Sequence, residues 1–313
     1  MSRTTNKTSG KTGRSPLLVV WGVVAMFALA ALVAVSVLIA GGPGVRSSGT
    51  GAIERPVVGG DLHAMAVDPE HPDRVMVGGH EGAAISEDGG KTWEQVSDLE
   101  GADPMGWTID PTDPKKMYAG GHPGFYRSED GGETWSKDNS GLPGTDVHGL
   151  GMDPRNPDTL YASIMGAGLY RTTEAGESWE PVNDEVGVMG PILVDPRDSE
   201  TLYVAGSEGG FFRSEDNGKG WSELGTIPGG MTMWVSQSLK DPDTLYAANG
   251  GVAKSTDGGE SWQPMDEGLP EGVSTVAVAS NDKGIVYAGV LDGTEARVYR
   301  SEDGGESWEA QNG

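Results

Sequence analysis

The sequence predicts an all-β fold: a six-bladed β-propeller of four antiparallel strands per blade, preceded by one N-terminal transmembrane helix. Three observations carry this. An eight-residue motif ending in tryptophan occurs six times, at Ser86–Trp93, Ser128–Trp135, Thr172–Trp179, Ser214–Trp221, Ser255–Trp262 and Ser301–Trp308. Successive tryptophans lie 42, 44, 42, 41 and 46 residues apart, a period that fits propeller blades. The stretches between the motifs alternate short apolar runs with turn residues, the pattern of strands.

The chain begins with Arg3, Lys7, Lys11 and Arg14, then runs from Leu17 to Ala40, 24 residues, without a charge. That length spans a bilayer as a helix, and the cations ahead of it place residues 1–16 in the cytoplasm as a basic tail. Residues 17–40 are therefore expected to be an uncleaved signal anchor, with the repeats outside the cell. The rival is a cleaved signal peptide, which the small residues Ser36 and Ala40 would suit, but the run exceeds the usual apolar region of about 7–15 residues. Residues 41–57, rich in glycine, serine and proline, read as a flexible tether, and 58–313 as the propeller.

Each blade has the same internal order. An apolar first strand ends at Asp-Pro in Val67-Asp68-Pro69, Ile109-Asp110-Pro111, Met152-Asp153-Pro154 and Val194-Asp195-Pro196, where proline stops the ladder. Blades five and six lack a clean Asp-Pro but keep the second strand, Leu245-Tyr246-Ala247 and Val286-Tyr287-Ala288. The third strand ends in an aromatic residue and an arginine, as in Tyr126-Arg127 and Tyr299-Arg300. The motif then turns the chain: glycines permit positive φ, Ser and Asp side chains can bond the turn's backbone, and the tryptophan can pack between sheets. A last strand after Trp308 closes blade six, with residues 52–58 as a candidate pairing partner there.

These motifs resemble the Asp box, or BNR repeat, in all six blades, with departures at Glu174, Ala175 and Gly220. Asp boxes occur in sialidases, sortilin-type receptors, plant-like photosystem II assembly factors and bacterial exported propellers. Asp103-Pro104-Met105-Gly106-Trp107 and Ala119-Gly120-Gly121-His122-Pro123-Gly124 further resemble bacterial exported Asp-box proteins often labelled glycosyl hydrolases. The resemblance implies a structural role for the boxes and transfers no catalytic residues.

Composition narrows the function. Basic residues number 22 against 47 acidic ones, a net charge of −25. With the four N-terminal cations set aside, 18 basic residues face 47 acidic ones, so the folded part carries −29 and repels nucleic acid. There is no cysteine, which excludes disulfides, thiolate metal sites, a cysteine nucleophile and lipoprotein acylation.

Function should sit where the repeat is broken. His63 and His148 each lie five residues before an Asp-Pro aspartate, at the start of a first strand; His80 and His122 each follow Gly-Gly in the turn after a second strand. Alternating strand direction puts all four on one face, in blades one to three, and His71 on the other. Asp61, Asp103 and Asp146 lie two residues before the histidine position, Met105 occupies that position in blade two, and Trp107 follows it. Met189, Met231 and Met233 fall nearby in blades four and five. Imidazoles, carboxylates and thioethers without thiolate suit a copper or zinc ion, with the four histidines as ligands and Asp61, Asp103, Met105, Trp107 and Asp146 as ligand-binding neighbours. The alternative is that each histidine caps a turn or fills a slot between blades.

The chain lacks the Arg-Ile-Pro opening of sialidases, and its repeating arginines approach the other face. No nucleophile elbow or phosphate-cradling loop occurs. The expected function is a membrane-anchored extracytoplasmic binding or assembly module whose face takes a protein, glycan or metal ligand. Glycoside hydrolysis, using carboxylates among Asp61, Glu81, Asp103 and Asp146, is the alternative.

Overall fold

The computed structural model describes residues 53–232, 234–280, 284–292 and 295–311. The expected anchor at 17–40 lies outside them, and among the described residues no helix is long and apolar enough to cross a membrane. Those residues form six sheets, one per repeat, each with four antiparallel strands ordered innermost to outermost as the chain runs, and blade three carries one further short strand on its inner edge. Blade one, for example, consists of Ala64–Val67, Val75–Gly79, Gly82–Ser86 and Glu94–Gln95.

The eight-residue turn explains why the strands stop where they do. In blade one the Ser86 hydroxyl donates to Asp88 Oδ1 at 2.9 Å and accepts from the Gly90 amide at 2.8 Å. Asp88 accepts from the Thr92 amide and hydroxyl at 2.8 and 2.6 Å, and Trp93 Nε1 donates to the Gly90 carbonyl at 3.1 Å. These bonds are internal to the turn, and the Gly89 amide bonds the Asp73 carbonyl at 2.7 Å, so the turn is satisfied by the chain itself and needs no ligand. Blade three departs where its sequence does. Ala175 takes φ 53° where four of the other blades have glycine and blade four has Asn217 at φ 61°. Trp179 Nε1 is buried without a partner.

The blades pack through apolar seams. Tyr287, Ala277 and Val298 of blade six meet Leu62, Met65 and Trp93 of blade one in one buried cluster, which closes the ring. Tyr287 also donates its hydroxyl to the Pro72 carbonyl at 2.9 Å. Blade six supplies its own fourth strand, Glu309–Ala310. The segment expected to pair there goes elsewhere: Ile53 bridges Trp93, on the outer edge of blade one, and Val58 packs in the seam between blades one and six. The Trp93 amide and carbonyl, just before the fourth strand of blade one, each bond Ile53.

One irregularity shapes the site. The innermost strand of blade four is split, and Gly190–Pro191 runs parallel to the innermost strand of blade three, Val147–Met152. The Ile192 amide bonds the Leu150 carbonyl at 3.0 Å. Such an approach requires a bare backbone: a Cβ on Gly151 would lie 2.0 Å from the Ile192 carbonyl oxygen.

Candidate functional site

The four histidines are placed by two local devices. The first is a bulge in the innermost strand. In blade three Ser163 pairs with Gly149 and Ile164 with Val147, so His148 is the extra, unpaired residue. Met105 is the extra residue in blade two and Ser274 in blade six. In blade one Ala64 pairs with Gly78, yet the His63 amide also reaches the Gly78 carbonyl, at 3.2 Å. A bulge re-aims the side chain it carries, here toward the seam with a neighbouring blade. The second device is the Gly-Gly before each turn histidine. A Cβ on Gly79 would lie 2.0 Å from the Asp61 carbonyl oxygen, and one on Gly121 1.9 Å from that of Asp103. Glycine is required for each aspartate to stand beside the following histidine.

The structure brings the expected residues together in two groups. In the first, His63 lies between two carboxylates: Nε2 is 2.7 Å from Asp103 Oδ1 and Nδ1 is 3.3 Å from Asp61 Oδ2. His80 bridges the same pair, at 3.2 Å from Asp61 and 3.6 Å from Asp103. The two rings meet edge to face, 5.0 Å between centroids. In the second, Asp146 Oδ1 lies 2.6 Å from His148 Nε2 and 3.0 Å from His122 Nε2, and the two nitrogens are 3.3 Å apart. Asp103 stands between the groups: its carboxylate serves His63, while its backbone is the ladder partner of His122.

The groups differ in charge. Burial alone would push the His63 imidazole down, but hydrogen bonds to Asp103 and Asp61, with their charges, lift its pKa to about 9. The hydrogen bond from His63 in turn holds Asp61 below the usual carboxylate value; at Asp103 burial is the largest single influence and pushes upward, but the His63 hydrogen bond and the nearby histidine charges together outweigh it and lower that carboxyl too. His63 is thus an imidazolium at neutral pH. Burial holds His148 below the ordinary imidazole value despite Asp146, and the adjacent His122 adds to the effect. Equivalent strand positions therefore carry a cation in blade one and a neutral ring in blade three.

The remaining expected residues stand apart. Met105 is half-buried in its bulge. Trp107 is buried, packs against Trp135 at 5.4 Å, and lines a cavity of about 130 Å³ with Leu150, Ile192 and Leu193. His71 is 70% exposed on the far face, 3.5 Å from Asp68. Met233 lies outside the described residues. Sequence reasoning missed the division into two groups, because each draws a carboxylate across a seam between blades. The offset of Asp103 and Asp146 from the preceding Gly-Gly-His was the available signal.

Fold and repeated turns define a BNR-type propeller. The chain belongs to the family described as photosynthesis system II assembly factor YCF48, which it matches over residues 58–312. Among solved structures it is similar to a YCF48 bound to a D1 peptide, at 22% identity over 83% of this chain and 84% of that one, TM-score 0.51. It is also similar to the GH74 enzyme of Niastella koreensis (18% identity, 82% of this chain and 46% of that one, TM-score 0.58). The GH74 xyloglucanase of Xanthomonas campestris gives 19% identity, 82% and 46% coverage, and TM-score 0.57. The chain spans less than half the length of these two enzymes, and at such identities the likeness is one of fold. No curated protein matches it in sequence.

Proposed function

We propose that this protein is an exported, membrane-tethered assembly module of the Asp-box type, anchored by residues 17–40, which grips a segment of a partner polypeptide on the histidine-bearing face of its propeller. The observation that carries the reading is where the non-repeating side chains collect. Both histidine groups lie on that face. So do three of the four large hydrophobic side chains exposed among the described residues, Met165, Met189 and Met231, each at least 40% exposed. The Met165 amide bonds the Asp146 carbonyl at 2.9 Å, and Met189 and Met231 lead into the innermost strands of blades four and five. Methionine side chains are unbranched and polarizable and adapt to varied apolar partners. An acidic, histidine-bearing sector beside a methionine sector offers a peptide both polar and apolar anchorage. Family membership and the peptide-bound YCF48 relative support the same reading.

Photo-crosslinking in cells tests it. A crosslinker at position 165, 189 or 231 should capture a defined partner, and one at Glu87, Glu129 or Glu215 on the opposite face should not. Equal capture from both faces, or none from the first, counts against the proposal. Glycoside hydrolysis would need one carboxyl group held protonated. Asp61 and Asp103 are both pushed the other way, with the His63 ring between them. Turnover of a glycan by the purified protein, lost in Asp103→Asn, would instead favour the hydrolase.

A further inference from the structure

The two histidine groups have different chemistry, and one of them has the form of a metal site. We infer that His122, Asp146 and His148 bind a single divalent ion of the zinc–copper class, whereas His63, His80, Asp61 and Asp103 do not.

Two imidazole nitrogens and one carboxylate oxygen lie 2.6, 3.0 and 3.3 Å from one another. An ion bonded at about 2.0–2.1 Å to tetrahedrally placed ligands holds them about 3.3 Å apart, so small adjustments bring all three onto one centre. Hydrogen bonding accounts for only part of the convergence: the two Nε2 atoms, 3.3 Å apart, form a hydrogen bond when one ring donates and the other accepts. Asp146 Oδ1 is buried and close to both rings, yet neither ring nitrogen meets it with hydrogen-bond geometry. The two Nε2 atoms face each other, so protons on both would be directed into the same small space.

The other group shows the contrast. His63 Nε2 makes a true hydrogen bond to Asp103 at 2.7 Å, and its Nδ1 lies against Asp61, so both ring nitrogens already have an anionic partner. A metal there would have to displace the ion pairs of the buried His63 ring, which is costly.

Ligand type sets the class of ion. Two nitrogens and one oxygen suit zinc or copper(II), whereas calcium and magnesium seek six or more oxygens. The ligands come from two blades, His122 from the second strand of blade two and Asp146 and His148 from the start of blade three. A bound ion would therefore tie one blade to the next and stabilise the folded chain. His122 is 47% and Asp146 36% exposed, which leaves an open side for entry and for a further ligand.

The inference stands apart from the assembly proposal: loss of metal binding with crosslinking intact removes only the former. The test is calorimetric titration of zinc chloride, and separately copper(II), into the full chain in detergent after chelation. Buffer with 150 mM salt and excess magnesium occupies non-specific acidic sites. One equivalent should bind and raise the unfolding temperature. His122→Ala, at an exposed side chain, and His148→Gln should each weaken binding at least about tenfold. His80→Ala should leave it unchanged. Copper(II) should give an electron paramagnetic resonance spectrum with two coordinated nitrogens, lost in His122→Ala. Absence of stoichiometric binding, or binding that survives His122→Ala, overturns the inference. Equal loss in His80→Ala overturns its assignment to this group.

Discussion

His63 makes the stability of the propeller depend on pH in a direction that can be worked out beforehand. Its pKa rises from 6.5 to about 9 on folding, and each unit corresponds to about 1.4 kcal/mol. The ion pair thus contributes at most about 3.5 kcal/mol. Because the folded value is the higher one, the contribution is complete below pH 6.5 and is lost as pH rises towards 9. Asp61 and Asp103 are lowered, so their contribution is present above the ordinary carboxylate value and fades as pH falls below it. Asp103 is 15% exposed and Asp61 34%, so water screens Asp61 more and Asp103→Asn should cost more than Asp61→Asn. Urea unfolding of wild type and His63→Gln between pH 5 and 10 isolates the effect, since other titrating groups are common to both. Wild type should lose up to about 3 kcal/mol between pH 6.5 and 9 relative to the variant. Parallel profiles, or a His63 imidazole seen by NMR to titrate near 6.5, would refute the reasoning.

Three further outcomes follow from the geometry. Gly121→Ala forces a Cβ to 1.9 Å from the Asp103 carbonyl oxygen and should destabilise by about 1–3 kcal/mol, whereas Gly187→Ala, with nothing within 4 Å, should be neutral or slightly stabilising; thermal unfolding distinguishes them. Ala175→Gly relieves a left-handed φ of 53° and should stabilise by about 1 kcal/mol in chemical denaturation, in contrast to most glycine substitutions. If residues 17–40 anchor the chain with its repeats outside, protease added to intact cells, or to spheroplasts where a wall intervenes, removes the propeller; a protected propeller or a fully soluble mature chain contradicts that topology.

The repeat was legible because its causes are local. A Ser-x-Asp-x-Gly turn satisfies its own hydrogen bonds within a few residues, so six copies at one period fix six turns, and the alternating apolar runs between them fix the strands. The shared face of the histidines was legible for the same reason, since strand direction reverses at every turn and a residue's place along its strand decides its end of the sheet.

What the chain's linear order does not contain is which side chains meet across a seam. Asp103 is 40 residues from His63 and bonds it at 2.7 Å; Asp146 is 24 residues from His122 and lies 3.0 Å away. Those distances depend on the close approach of strands within a sheet, as at Gly121 to Asp103, and on how far one sheet is set against the next, as at Gly151 to Ile192. They divide four similar histidines into a pair built around the carboxylate-flanked imidazolium of His63 and a converging pair in which burial holds His148 below the ordinary imidazole value. Local sequence determined the blades and the face; tertiary packing decided the chemistry on it, because the charge of an imidazole depends on the carboxylates and the burial that only the assembled ring supplies.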